Sequence, residues 1–356
     1  MLMKLVMLKV LVDLHRIGKN PYNGLYTYCH QLGKSLLKFD HSDLNLFYYL
    51  PQDKFGFFGS EISYVNQRSI DKFYRFNTYK YDIWHAATTL SWYKPFNKKT
   101  KFIFTIHDLN FMIESPDNVK INNRNLRLIQ ERVNRSDHII AISKTALKQA
   151  NQYLDMDNKP VSIVYPGCAL VNELPQEKIP AFIPSEPFLF TIGLLQTRKN
   201  FHVLMPIIKE TQYKLVIAGL DTFDYKHTII EEAQKWGVLE KVIIVGPVSE
   251  SEKVWYYKNC EAFLFPSIAE GFGSPVVEAM FFGKPVFLSS EGSLPEIGGD
   301  AAYYFLSFEP SQMIDDFKKG MEDYNKRRPC EMIKQRASLF SYDHAARAII
   351  NIYHHV

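Results

Sequence analysis

The sequence predicts an α/β protein of two doubly wound, parallel-sheet domains facing each other across a cleft, and three observations carry that prediction. Short apolar runs alternate with segments of helical period along almost the whole chain, the pattern of parallel strands covered by helices. The alternation breaks once, between Tyr165 and Pro187. There Pro166, Gly167, Pro175, Pro180, Pro184 and Pro187 crowd into a stretch that continues neither a helix nor a central strand. A chain of 356 residues has room for two domains of similar size on either side of that break.

Taken in order, the first strands are expected at Leu5–Val12, Leu44–Leu50, Asp82–Ala86, Phe102–Ile106, His138–Ile142 and Ser162–Val164. The opening apolar run reads as a buried strand rather than a secretory leader, because Lys9 interrupts it, Asp13 ends it and no small-residue cleavage site follows. A second series is expected at Phe188–Ile192, Lys214–Ala218, Val242–Val245, Ala262–Phe265, Pro285–Leu288 and Ala302–Phe305. The last helical pattern, Tyr342–His354, is long enough to cross back to the first domain. The expected organisation is a first Rossmann-like domain over residues 1–170, a Pro-rich linker over 171–187, a second Rossmann-like domain over 188–340 and a terminal helix over 341–356. In such sheets ligands bind beyond the carboxyl ends of the strands, so the loops after these runs are where function is sought.

Composition excludes several classes. With 46% hydrophobic and 22% charged residues the chain buries a sizeable core and is not disordered. No stretch approaches the roughly 18 to 20 apolar residues of a membrane-spanning helix. Cys29, Cys168, Cys260 and Cys330 lie far apart without paired spacing, which indicates neither a zinc site nor a disulfide framework and points to a reducing cytoplasm. A net charge of +4 is too small to imply nucleic acid, and no recognition motif of that kind is present.

The strongest chemical signal runs from Pro266 to Met280, following a strand and opening a helix. Ser274 is expected to cap that helix and Pro275 to occupy its first position, leaving backbone N–H groups aimed at an anion. Gly271 and Gly273 allow close backbone approach, and Glu270 and Glu278 place two carboxylates eight positions apart, suited to vicinal sugar hydroxyls. A lone Gly-x-Gly is explained as well by a tight turn; the second glutamate and a second loop argue for more. Strand Phe188–Ile192 runs into Gly193–Asn200, where Arg198 and Lys199 stand at a helix start that repels positive charge unless an anion lies between.

These residues resemble the glycosyltransferases of the GT-B fold, specifically family 4. The family's Glu-Gly-Phe-Gly-x-Pro-x-x-Glu-Ala element matches Glu270 to Ala279, and its Arg-Lys-Asn loop matches Arg198 to Asn200. The likeness extends through Gly283–Val286 and Leu294–Ala302, and more loosely through 23–28, Ile106–Leu109, Ala141–Lys144 and Val164–Gly167. It implies a GT-B architecture with an acceptor-binding first domain, and retaining transfer of a hexose from a nucleotide diphosphate sugar. Arg198 and Lys199 would hold the diphosphate, Glu278 the ribose and Glu270 the sugar hydroxyls, with Gly271, Phe272, Gly273 and Ser274 along the donor. Gly24 would let backbone approach the diphosphate, although the arginine that many members carry near that loop is missing here. His107, in the family's His-Asp position, would face the sugar and joins Lys199, Arg198 and Glu270 as the catalytic set. His85, Asp108 and Ser143 are acceptor-side candidates, against simpler readings as a hydrogen-bonded core histidine, a loop-fixing carboxylate and a helix cap.

No cofactor is expected. Nothing marks a pyridoxal phosphate lysine, and Asp155-Met156-Asp157 lacks a strand before it and reads as a solvated turn rather than a metal site. The donor inclines to GDP-mannose over UDP-glucose or a deoxysugar nucleotide. A sugar-nucleotide epimerase of the same shape and a non-enzymatic nucleotide-sugar-binding protein are the alternatives. Between Arg68 and Lys101 eight cations stand against two acids, with aromatics interleaved. This is either an ordinary solvated face or a peripheral contact with anionic membrane, at the inner face of the cell membrane, that would bring a lipid-linked glycan to the first domain during polysaccharide or lipopolysaccharide synthesis.

Overall fold

The computed structural model describes residues 7–19, 24–39, 43–73, 80–114, 116–172 and 174–356. It divides into two compact units, one comprising the chain through Gly167 together with Tyr342–Val356, the other Cys168–Ser341.

In the first unit the described residues form a seven-stranded parallel sheet: β1 (Leu8–Asp13), β2 (Leu44–Leu50), β3 (Ser63–Asn66), β4 (Ile83–Ala86), β5 (Lys101–Ile106), β6 (His138–Ala141) and β7 (Val161–Ile163), in the order β3-β2-β1-β4-β5-β6-β7. The central strands are apolar because both faces are covered: Val10, Leu11 and Val12 of β1 and Phe102, Ile103 and Phe104 of β5 are all fully buried. Helix α1 (Gly24–Leu36) covers one face through Tyr28, Leu32 and Leu36; α2 (Val119–Arg135) covers the other through Ile129 and Val133. Helix α3 (Lys144–Tyr153) follows β6. The edge strand β3 escapes sequence reading because Ser63-Tyr64-Val65-Asn66 is short and half exposed; its register with β2, Tyr48 opposite Tyr64, forms it.

The second unit repeats the plan with six parallel strands: β8 (Phe188–Ile192), β9 (Lys214–Ala218), β10 (Val242–Gly246), β11 (Ala262–Phe265), β12 (Val286–Ser289) and β13 (Tyr303–Phe305), in the order β10-β9-β8-β11-β12-β13. Helix α4 (Glu250–Asn259) starts at a reciprocal capping box, with Ser249 Oγ accepting from Glu252 N and the Glu252 carboxylate accepting from Ser249 N. Helix α5 (Ser274–Phe281) follows β11, and its Val276, Val277, Ala279 and Met280 are fully buried, which fixes its rotation against the sheet.

The terminal helix α6 (Tyr342–His355) belongs to the first unit. Its stripe Tyr342, Ala345, Ala346, Ile349, Ile352 and Tyr353 joins the core beside α1, and Lys38 pairs with Asp343 at 3.1 Å. Among the described residues no helix is long and apolar enough to cross a membrane.

The basic aromatic stretch is partly spent on the fold. Arg68 pairs with Asp71, Lys94 with Glu131 and Lys101 with Asp137, and Tyr93 is a core residue. Phe73 (80% exposed) and Trp92 remain at the surface, with Arg124 stacked 5.0 Å over the Trp92 ring. Arg75 and the aromatic residues Tyr74, Phe76 and Tyr79 lie outside the described residues.

Candidate functional site

In each sheet the strand order reverses at one place, between β1 and β4 in the first unit and between β8 and β11 in the second. A crevice for ligands opens at such a point beyond the strand ends. In the second unit the loops leaving β8 and β11 are the two segments with the strongest chemical signal, and they are tied together: Ile268 N donates to Arg198 O at 2.9 Å, and Ser267 Oγ lies 3.1 Å from the same oxygen.

The two cations and the first glutamate form one cluster. Glu270 Oε1 accepts from Arg198 Nη1 (3.0 Å), Lys199 Nζ (2.5 Å) and Ser267 Oγ (2.6 Å), while among the described residues no protein donor reaches Oε2. Lys199 is 6% exposed and lies 4.7 Å over the Phe265 ring, and Arg198 also donates to Ala269 O at 2.6 Å. With its amide oxygen turned to the guanidinium, Gln196 accepts from Arg198 Nε and Nη2 at 2.7 and 2.8 Å. Burial by itself would raise the Glu270 carboxyl; the Lys199 and Arg198 charges outweigh it and bring it down to about 2, so the group is ionised at neutral pH. The cluster carries two positive charges against one negative, held in a fixed geometry.

Helix α5 opens differently from expectation. Ser274 is its first residue and not its cap; Gly273 takes the cap position at φ 100°, a left-handed conformation that suits glycine, and no side chain caps the helix. A leading N–H edge without a capping side chain, beside two cations, suits an anion. Gly271 is buried in the same loop. The Phe272 ring packs edge-on against Phe340 at 5.5 Å, and its carbonyl accepts from Ser293 Oγ at 2.8 Å.

Glu278 is buried and meets a different set of donors. Lys253 Nζ lies 3.0 Å from Oε1 and the Tyr257 hydroxyl 2.9 Å from Oε2, both from α4. Lys253 also pairs with Glu250 at 2.8 Å; burial would lower its pKa, but the two carboxylates more than offset that and keep the ammonium charged. Lys253, Tyr257, Ser267 and Gln196 were not singled out from sequence. The signal available was the spacing of Lys253 and Tyr257 on one helical face, which is too common to select them.

In the first unit, His107 follows β5 and is 6% exposed. Its Nε2 donates to Ala87 O at 2.9 Å, its backbone N donates to Thr89 Oγ1 at 2.6 Å, and its ring meets Tyr28 edge-on at 4.5 Å. Burial lowers its pKa against the opposing pull of the Ala87 carbonyl and Asp108, so the ring is neutral and Nδ1 is an acceptor that no donor among the described residues meets. Asp108 fixes the next turn by accepting from Asn110 N at 3.0 Å. Ser143 is fully buried and caps α3, accepting from Ala146 N at 2.9 Å, which is the arrangement of the simpler helix-cap reading. His85 is fully buried inside β4 with Nδ1 bonded to the Tyr353 hydroxyl (2.7 Å) and Nε2 to Thr105 Oγ1 (2.8 Å), the arrangement of a hydrogen-bonded core histidine. A side chain added at Gly24 would meet no atom of the described residues within 4 Å.

Sequence reading also passed over groups at the β1 and β4 ends. Asp13, fully buried, accepts from His15 Nδ1 at 3.1 Å and from Ser91 Oγ at 2.6 Å. Arg16 Nε and Thr88 Oγ1 are buried without a hydrogen-bond partner among the described residues. Among the described residues no group of His, Cys, Asp or Glu is arranged to hold a metal ion, and Asp155-Met156-Asp157 is a local turn with Asp157 N donating to Asp155 Oδ1 at 3.1 Å.

The His85 geometry sets a pH dependence. Burial holds its imidazole down to about 3, whereas the unfolded ring binds a proton below 6.5. The unfolded state therefore takes up more protons in that window, and stability falls as pH falls through it. His85→Gln should flatten the stability–pH slope between those values by up to one proton in chemical denaturation; an unchanged slope would contradict the assignment.

Comparison with known proteins agrees with this geometry. Residues 175–337 match the model for glycosyl transferases group 1 and residues 44–170 that for glycosyltransferase family 4. The serotype-specific mannosyltransferase WbdA of Escherichia coli is 28% identical over 203 residues, 53% of this chain and 24% of that protein, so the chain spans about a quarter of that relative's length. Sucrose-phosphate synthase from Thermosynechococcus elongatus superposes with a TM-score of 0.75 at 16% identity, covering 98% of both chains. HepE of Anabaena, solved in complex with UDP-glucose, superposes with a TM-score of 0.71 at 17% identity, covering 98% of this chain and 100% of that one. Two adjoining family matches across both sheets, together with the superposed architecture, place the chain among the family 4 glycosyltransferases of the GT-B fold.

Proposed function

We propose that the protein is a retaining hexosyltransferase that moves a sugar, with mannose favoured, from a nucleotide diphosphate sugar to a glycan or lipid-linked glycan in bacterial surface polysaccharide synthesis. The observation that carries the proposal is the Arg198–Lys199–Glu270 cluster beside the open end of α5. Breaking the anomeric bond places negative charge on the departing diphosphate, and Lys199, Arg198 and the N–H groups at Gly273 supply donors already oriented toward that charge. Glu270 Oε2, which no protein donor reaches among the described residues, accepts from sugar hydroxyls, and the unprotonated Nδ1 of His107 is proposed as a second acceptor for them. Retention follows from attack on the face the leaving group departs from, with the leaving phosphate taking the acceptor's proton, so no protein nucleophile is required. The mannosyltransferase relative favours mannose as the sugar, GDP-mannose is the donor proposed, and HepE's complex keeps UDP-glucose in contention.

Membrane contact belongs to the same proposal: exposed Ile70, Phe73, Val119 and Ile121 lie close in sequence to Lys72, Lys120 and Arg124, the mixture of cations and apolar side chains that suits anionic lipid. One experiment tests both parts. GDP-mannose and UDP-glucose are supplied with a lipid-linked acceptor in vesicles with and without anionic lipid, and with a soluble glycan acceptor. Acceptor-dependent release of nucleotide is expected, faster on anionic vesicles. Donor turnover without any acceptor would favour an epimerase, binding without turnover a sensor, and equal rates on all acceptors would remove the membrane contact.

A further inference from the structure

Buried carboxylates are expensive, and one in an otherwise apolar helix needs a cause. Glu278 is 5% exposed on α5, among fully buried Val276, Val277, Ala279 and Met280. Replacing a buried ion pair by well-packed apolar residues is often neutral or stabilising, so stability alone does not explain why Lys253 and Glu278 face each other across α4 and α5. Their arrangement is specific: each Glu278 oxygen receives one donor from α4, Oε1 from Lys253 at 3.0 Å and Oε2 from the Tyr257 hydroxyl at 2.9 Å. No other protein donor reaches Glu278 among the described residues. A carboxylate has about four acceptor sites, so each oxygen keeps one unspent. Lys253 is shared with Glu250, but that carboxylate is 58% exposed and solvated by water, whereas Glu278 has only Lys253 to balance its charge.

We infer that Lys253 and Tyr257 are positioning residues that hold both oxygens of Glu278 ready to receive the two vicinal hydroxyls of a nucleotide ribose. The inference rests on the nucleotide-sugar reading of the same site. α4 acts as a brace: its capping box anchors the N-terminal end, and Lys253 and Tyr257, one turn apart, reach the same carboxylate from the same face. Without the ammonium, a buried Glu278 becomes a protonated carboxyl that offers one fewer acceptor to a diol. Without the tyrosine hydroxyl, the carboxylate keeps its charge but loses its fixed rotation. In either variant the diphosphate cations Arg198 and Lys199 are untouched, because they contact Glu270 rather than Glu278.

The test is calorimetric binding of UDP and GDP against their 2′,3′-dideoxy counterparts, to the wild type, Lys253→Met and Tyr257→Phe. Whichever nucleotide the wild type binds should be preferred about tenfold or more over its dideoxy form, the worth of a hydrogen bond to a charged group. In both variants that ratio should collapse toward one, mainly through weaker binding of the ribonucleotide, while the dideoxy form binds about as before. Tyr257→Phe keeps the charge balance and decides the matter if Lys253→Met fails to fold. Equal weakening of ribo and dideoxy forms would mean that α4 only supports the fold, and overturns the inference. A wild type that binds without ribose preference also overturns it and leaves glycosyl transfer standing; a wild type that binds neither UDP nor GDP removes the donor reading itself.

Discussion

Lys199→Ala is expected to lower turnover about a hundredfold or more at saturating donor, the range seen when one preorganised electrostatic donor is removed from an active site. The size of the effect follows from where the ammonium sits. It is 6% exposed, 2.5 Å from Glu270 and over the Phe265 ring, a setting in which water cannot replace it and a fixed charge acts at low dielectric. Alanine also leaves Glu270 short of a partner, and removing one side of a buried ion pair costs about 3–5 kcal/mol of stability. The two effects are separated by measuring kcat well below the melting transition and by Lys199→Met with Glu270→Gln, in which the residual charge is removed as well. If the double variant regains stability while its kcat stays far below that of Glu270→Gln alone, Lys199 stabilises the leaving group. Wild-type kcat in Lys199→Ala, or a covalent sugar trapped on Glu270, would refute the leaving-group mechanism.

Gly219→Ala should be the most damaging single change outside the charged cluster. Gly219 follows β9 at φ 148°, and a Cβ there would lie 1.8 Å from the Gly193 carbonyl oxygen and 2.9 Å from Leu195 Cδ1. The backbone has little freedom to yield, because Gly193 N donates to Ala218 O at 3.0 Å and Gly219 N to Gly246 O at 2.8 Å. Gly193 in turn lies against the Lys199 side chain, with a Cβ position 3.1 Å from Lys199 Cε. The strain therefore passes directly into the anion-binding loop. A loss of at least about 2 kcal/mol in urea denaturation is expected, from a disfavoured backbone conformation plus overpacking, together with at least about tenfold weaker donor binding. Gly237→Ala, where a side chain meets nothing within 4 Å, is the control. Equal losses in both variants would mean that the close approach to Gly193 is unimportant.

Much of the architecture was legible because its signal is local. Strands Leu44–Leu50, Phe188–Ile192, Lys214–Ala218 and Ala262–Phe265 are runs of apolar residues covered on both faces, and their limits coincide with the elements observed. Ser63–Asn66 was not legible, because an edge strand with two apolar residues is held by its neighbour and not by its own composition. The same division runs through the candidate site. Arg198, Lys199, Glu270 and Glu278 stand in motifs whose glycines, prolines and charges are close in sequence, so their chemistry is visible from spacing. Ser274 misled because a serine before proline is a good cap in general; Gly273 takes the cap position here by adopting a left-handed conformation.

By itself the sequence determined the alternating parallel strands, the proline-rich break, and the two charged loops at strand ends, since each depends on hydrophobic period, backbone restriction or charge within one short segment. Only the tertiary structure decided which groups meet. It turned Glu270 onto Arg198 and Lys199, gave Glu278 to Lys253 and Tyr257, and withdrew His85 into the core against Tyr353, a residue 268 positions away. Such pairings are made by helix rotation and strand order, which the burial of whole apolar faces sets; no spacing along the chain encodes which donor reaches which carboxylate oxygen.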